Sequence, residues 1–84
     1  MKKVYLVNSF GDIAGEFCDV LAFESEEKAK ECFLRKVERA KEEHADYLGD
    51  DLEIMEGNGF VLFCWAVDTH YYHRIELKEL EVID

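Results

Sequence analysis

The chain has 84 residues, with twenty Asp and Glu against ten Lys and Arg and a formal charge of -10. That length holds one domain, residues 1–84, and such a domain buries only about 60% of its unfolded surface, so a deep catalytic cleft is hard to support. The acidic excess argues against direct binding to nucleic-acid backbones, whose affinity rests on Lys and Arg displacing counterions, and points to basic partners or to plain solubility.

Half of the residues are apolar and 13% are aromatic, which separates the chain from those too polar to collapse. Val4 to Asn8, β-branched and aromatic, reads as a first strand that ends in a loop at Asn8-Ser9-Phe10-Gly11-Asp12. Gly11 to Gly15 is glycine-spaced like a phosphate loop but has no lysine and no helix after it, so it reads as a turn. Glu16 to Glu24 reads as a second strand, with Phe17, Asp19, Leu21 and Phe23 on one face and Cys18, Val20 and Ala22 on the other, apolar on nearly both sides.

At Ser25 the period changes. Ser25 is a capping residue and Glu26 and Glu27 suit the positive end of a helix dipole. Ala29, Phe33, Val37, Ala40, His44, Tyr47 and Leu48 then recur at spacings of three and four, which predicts one helix from Ser25 to Leu48, closed by Gly49. Asp51 to Glu56 and Phe60 to Val67 flank the turn signal Gly57-Asn58-Gly59 and predict a hairpin. A second reversal at Asp68-Thr69-His70 leads into a strand in which Tyr71, His73, Ile75 and Leu77 alternate with Tyr72, Arg74, Glu76 and Lys78 and which runs on toward Val82. The expected fold is α+β, in the order ββαβββ, with a single antiparallel sheet of four to five strands and one long helix packed on one face.

The segment Phe60 to Val67 does not alternate. Phe60, Leu62, Cys64 and Ala66 oppose Val61, Phe63, Trp65 and Val67, and both sets are apolar although the chain offers one helix as cover. The second face therefore needs a partner subunit, the rest of the chain folded across it, or a different protein. A two-fold homodimer is the commonest soluble assembly and would hide Phe63, Trp65 and one of Tyr5, Tyr71 and Tyr72. The same aromatics, Phe63, Trp65, Tyr71 and Tyr72, are candidate docking residues.

Candidate chemistry is thin. Cys64, His70 and His73 carry ligand atoms for zinc, but His70 and His73 differ by an odd number and fall on opposite faces of a strand, and no fourth ligand is near unless His44 comes from the helix. Cys64, Asp68 and His70 have the roles of a cysteine hydrolase without an oxyanion hole, so an enzymatic or ligand-binding use of Cys64, His70 and His73 is an alternative only. His44 reads as a helix-face residue and His73 as a half-buried sheet residue. Asp46, Asp50, Asp51 and Glu53 lack the alternation of a calcium loop. No catalytic residue, metal or cofactor is expected.

Cys18, Cys32 and Cys64 are odd in number and set among apolar residues, which suits reduced core thiols of a cytosolic protein. Met1 to Phe10 carries only four consecutive apolar residues against the roughly 7–15 of a signal peptide, and the longest apolar run is eight residues against about 20 for a membrane span. Cytoplasmic location is the expectation. Glu42, Glu43, Asp46, Asp50 and Asp51 at one end of the helix, with Glu24, Glu26, Glu27 and Glu31 at the other, could meet a basic protein. Their sharper reading is mimicry of nucleic-acid phosphates to inhibit a nuclease or DNA-binding protein.

Lys3-Val4-Tyr5-Leu6-Val7, the junction Ala22-Phe23-Glu24-Ser25-Glu26-Glu27-Lys28-Ala29 and the closing Arg74-Ile75-Glu76-Leu77 resemble small uncharacterised α+β proteins of bacteria and their phages. The resemblance covers about a third of the chain and rests on fold signals, and the long middle hairpin departs from the shorter members. It implies a strand pair, a helix entered through Phe-x-Ser-x-Glu-Lys-Ala, and a closing strand. It also raises a phage-borne inhibitor of a host enzyme as an expectation. Together the residues predict a non-enzymatic, homodimeric interaction protein acting by occlusion.

Overall fold

The computed structural model describes residues 2–12, 15–48, 52–65 and 68–83, with side chains except those of 45–48 and 68–70. Its elements are β1 (Lys2–Asp12), β2 (Glu16–Phe23), α1 (Glu26–Leu48), β3 (Leu52–Gly57), β4 (Phe60–Trp65) and β5 (Asp68–Val82). All five strands form one antiparallel sheet in the order β2-β1-β5-β4-β3. The expected ββαβββ order and single sheet are therefore found, with five strands. At about 3.3 Å per residue the 15-residue β5 runs the whole 46 Å length of the molecule.

The helix begins where the capping signal sits. Lys28 N–H donates to Ser25 Oγ at 3.3 Å, which satisfies one of the donors a helix start leaves open, and Ala29 N–H makes the first intrahelical bond to the Ser25 carbonyl at 3.1 Å. Ala29, half-buried Phe33, Val37, Ala40 and His44 follow at spacings of three and four and lay one stripe of α1 on the sheet, while Leu34 points away from it. The core lies between them, where Val37 and Ala40 meet Val61, Phe63, Trp65 and Ile75, edged by Phe33 and Leu52.

Alternation in the strands decides which side chains meet the helix. Val7 and Ser9 of β1, Val61, Phe63 and Trp65 of β4, and Ile75 of β5 are buried on that side. Phe60, Leu62 and Cys64 take the opposite face and are only half-buried. Two apolar faces on one strand thus have different fates, and this corrects the expectation for Phe63 and Trp65. At 0% and 2% exposure they are sealed by the chain's own helix and offer nothing to a partner.

Three further expectations change. Asn8 to Asp12 is no loop: β1 continues through it, paired with β2 on one side and β5 on the other. Turn-type side chains are tolerated there because Asn8 Nδ2 donates to Glu76 Oε1 at 3.1 Å and Ser9 Oγ lies 2.8 Å from His73 Nε2. The reversal placed at Asp68-Thr69-His70 is strand, β5 starting at Asp68 opposite Trp65 with a register shift at Cys64/Trp65. The cysteines are free thiols but not core ones, since Cys18 is exposed and Cys32 and Cys64 are half-buried. Gly49, Asp50, Asp51, Ala66 and Val67 lie outside the described residues.

Two glycines have steric reasons. Gly59 holds φ +80° in the β3–β4 turn, a conformation other residues adopt at a cost. Gly11 lies against the backbone carbonyl of Tyr72, where a Cβ would collide with it. Gly11→Ala is therefore expected to cost about 1–3 kcal/mol, read as a lowered urea midpoint at unchanged slope.

Candidate functional site

Beneath α1 the fold assembles a polar row that the sequence did not announce as a unit. His44 Nε2, from the helix, lies 2.8 Å from His73 Nδ1 on β5, and His73 Nε2 lies 2.8 Å from Ser9 Oγ on β1. Aromatic edges enclose the row. His44 meets Phe63 and Trp65 at centroid distances of 5.1 and 4.9 Å, and Phe17 of β2 meets His73 at 5.0 Å. A neutral His73 carries one proton. Either Ser9 donates to it and it donates to His44, or the row runs the other way.

Burial pushes the His73 imidazolium down to about 4, helped by the neighbouring His44 and by Lys36, and burial lowers His44 as well, against the pull of Glu43. The order serine, histidine, second histidine matches the roles of a hydrolytic triad. Access and donors do not match. Ser9 is 7% exposed and sits mid-strand between Asp19 and Ile75, where backbone N–H groups are engaged in the sheet ladders. A base held near 4 is also a poor proton acceptor at neutral pH. The row works as a clamp from helix to sheet.

The residues singled out from the sequence are scattered. Cys64 and His73 project from opposite faces, since Phe63 is the residue opposite His73 and Cys64 is opposite Tyr72. A site built on Cys64, His70 and His73 is therefore not assembled, and the His70 side chain lies outside the described residues. Tyr71 and Tyr72 are exposed on opposite faces of β5. Glu42 and Glu43 are exposed on α1, and the side chain of Asp46 lies outside the described residues. The acidic array is interrupted by its own counterions, with Lys30–Glu26, Arg39–Glu43 and Lys41–Glu56 at 2.9, 3.4 and 2.9 Å. Among the described residues no group of three His, Cys, Asp or Glu side chains is placed to hold a metal ion, and no helix is long and apolar enough to cross a membrane.

Two apolar surfaces remain uncovered. The helix-free face carries Val20, Met55, Tyr72, Leu80 and Val82, all exposed. Its centre is polar: burial raises the Glu76 carboxyl, but hydrogen bonds from Asn8, Arg74 and Lys78 outweigh this and hold it below the usual carboxylate range, while Asn8 Oδ1 is buried without a partner. Arg74 also lies 4.3 Å over the Phe60 ring, its stem covering apolar surface.

The second surface is β2. Glu16 to Ala22 are all exposed, and only Phe23 is half-buried. Here a strand apolar on both faces, the composition of a sheet interior, stands at the sheet's edge. Of the usual protections of an edge, β2 has two charges, Glu16 and Asp19, but no lysine, proline or bulge and no shortness: it spans eight residues, and its register with β1 is unbroken from Tyr5↔Phe23 to Asp12↔Glu16. The other edge, β3, is protected by shortness and charge, with Glu53 and Glu56 in six residues and Lys41 bridging to Glu56.

Comparison with family models, with characterised proteins and with solved structures finds no match to this chain.

Proposed function

We propose that this chain is a non-enzymatic interaction protein that works as a homodimer and acts on a macromolecular partner by covering part of its surface. The observation that carries the reading is the apolar sheet surface left bare outside the helix, at Val20, Leu21, Met55 and Leu80, while the Ser9–His73–His44 row lies beneath the helix with Ser9 and His44 buried. Surfaces of this kind mark association sites in soluble proteins. Charge selects the partner: a chain of -10 draws a basic surface and repels nucleic acid. Free thiols suit a cytoplasmic setting. Resemblance to phage-borne proteins supports a host enzyme as the class of target.

Light scattering tests the first element of this reading. At tens of micromolar the protein is expected at twice its 9.8 kDa chain mass. A mass of one chain throughout the micromolar range would remove the dimer and with it the reason for the bare surface.

A further inference from the structure

We propose that β2 pairs with β2 of a second copy, antiparallel about a two-fold axis at Val20, so that two five-stranded sheets become one continuous sheet. This rests on the homodimeric reading above and names the surface that makes the dimer. The starting point is the mismatch already described: an interior-type strand at an edge, with one side of its backbone unpaired. Another strand supplies what that edge lacks, both hydrogen bonds and side-chain cover.

The sequence of β2 limits the register. Residues directly opposite in an antiparallel pair project from the same face, and strand side chains alternate, so the two-fold axis must pass through a residue and not between two. An axis at Asp19 would set that carboxylate against its own copy, a destabilising like-charge pair. An axis at Leu21 would set Asp19 against the partner's Phe23 and Cys18 against the partner's Glu24. With the axis at Val20, Val20 meets the partner's Val20, Cys18 meets the partner's Ala22, and Phe17 meets the partner's Phe23 twice over. Asp19 then opposes the partner's Leu21 and keeps its own salt bridge to Lys36 at 3.1 Å. Glu16 meets the partner's Glu24, a carboxylate that Lys2 already neutralises at 2.8 Å.

Charge opposes a second copy less at this flank than elsewhere. Two chains of -10 repel each other over most of their surface. The groove beside β2, between Phe23 and the helix, sets four cations, Lys28, Arg35, Lys36 and Arg39, against three glutamates. In a chain with two acids for every base, this is a flank where like molecules can approach. The two grooves would merge into one trough, walled by both helices and floored by Leu21, Phe23 and their mates.

Val20 is 54% exposed, so it can be changed without touching the core. Val20→Lys puts a charge on the axis and is expected to raise the dimer dissociation constant at least about tenfold while circular dichroism stays unchanged. Leu80→Glu on the helix-free face is expected to leave the dimer intact. With Cys18, Cys32 and Cys64 replaced by Ser, Val20→Cys is expected to form a disulfide-linked dimer on mild oxidation. Cα atoms about 4.5–5.5 Å apart across an antiparallel pair suit a disulfide. Asp19→Cys and Leu21→Cys, out of register with their own copies, are expected to stay unlinked. If the parent protein is dimeric but Val20→Lys leaves it so and Val20→Cys does not cross-link, edge pairing is overturned and the homodimeric reading stands on another surface. If the parent protein is monomeric, both fall.

Discussion

Phe63→Ala is expected to cost about 3–5 kcal/mol, the loss that goes with truncating a large, fully buried aromatic side chain. Its side chain is fully buried at the centre of β4, within the cluster of Val37, Ala40, Trp65 and Ile75. Alanine at 40 lets the helix come close, so little neighbouring side chain is free to swing into the vacated space. The ring also floors the histidine row, 5.1 Å from His44 and 5.7 Å from His73, and its loss would admit water to groups now held apart from it. A domain of this length is held by about 4–12 kcal/mol, so the variant stands close to unfolding at room temperature. Leu62→Ala, one residue away on the helix-free face and only half-buried, is the internal control, with about 1 kcal/mol expected. Urea denaturation of both variants reads the difference. Equal losses would mean that the two faces of β4 are equally covered in solution, contrary to the arrangement described.

Acid is expected to weaken the fold before the carboxylates titrate. His73 titrates near 4 in the folded protein against 6.5 when unfolded, and His44 is also depressed. Between these values the unfolded chain binds more protons than the folded one. The stabilising contribution is therefore complete above pH 6.5 and is lost as the pH falls toward about 4. For a half-buried pair the loss is on the order of 2 kcal/mol after allowance for solvent screening. The charged groups facing the pair are few: Lys36 beside His73 opposes its protonation, and Glu43 beside His44 favours protonation there. Glu76, whose carboxyl is held low by Asn8, Arg74 and Lys78, adds its own loss below 4.5. His73→Gln keeps hydrogen-bonding atoms near Ser9 and His44 without the titration and is expected to flatten the profile between pH 6.5 and 4.5. A parent protein with flat stability across that window would show that the imidazoles titrate as if exposed.

Local chemistry made several elements readable in advance. The serine cap with Glu26 and Glu27 placed the start of the helix, the Gly57-Asn58-Gly59 signal placed the hairpin, and the alternation from Tyr71 to Leu77 separated the two faces of β5, with Ile75 buried on one. What resisted reading depended on neighbours distant in the chain. Asn8 to Asp12 has turn chemistry, and only the flanking strands and the side chains of Glu76 and His73 make it strand. Phe60 to Trp65 is apolar on both faces, so a period of two carries no sign to say which face the helix takes; for that reason the pattern alone leaves Phe63 and Trp65 open to a docking role, whereas the helix makes them core. The histidine row was invisible for a related reason. Ser9, His44 and His73 each occupy an inward position of their own element, but nothing local says that three inward positions converge. The composition of β2 was legible as interior-like, whereas its place at the edge was not.

The order β2-β1-β5-β4-β3 has a bearing on how the chain reaches this state. The β1–β2 and β3–β4 hairpins close over short loops, but β5 alone lies between β1 and β4, and its pairing with β1 joins residues as far apart as Lys2 and Val82. During synthesis the two hairpins can form as soon as they emerge, yet they stay separate until the final strand arrives to zip them together. Such long-range closure makes folding slow for so small a domain and concentrates its cooperativity in one late event. Until β5 pairs, the apolar side chains of β4 that end in the core are open as well as those of β2, so the domain is most vulnerable to aggregation before that strand docks.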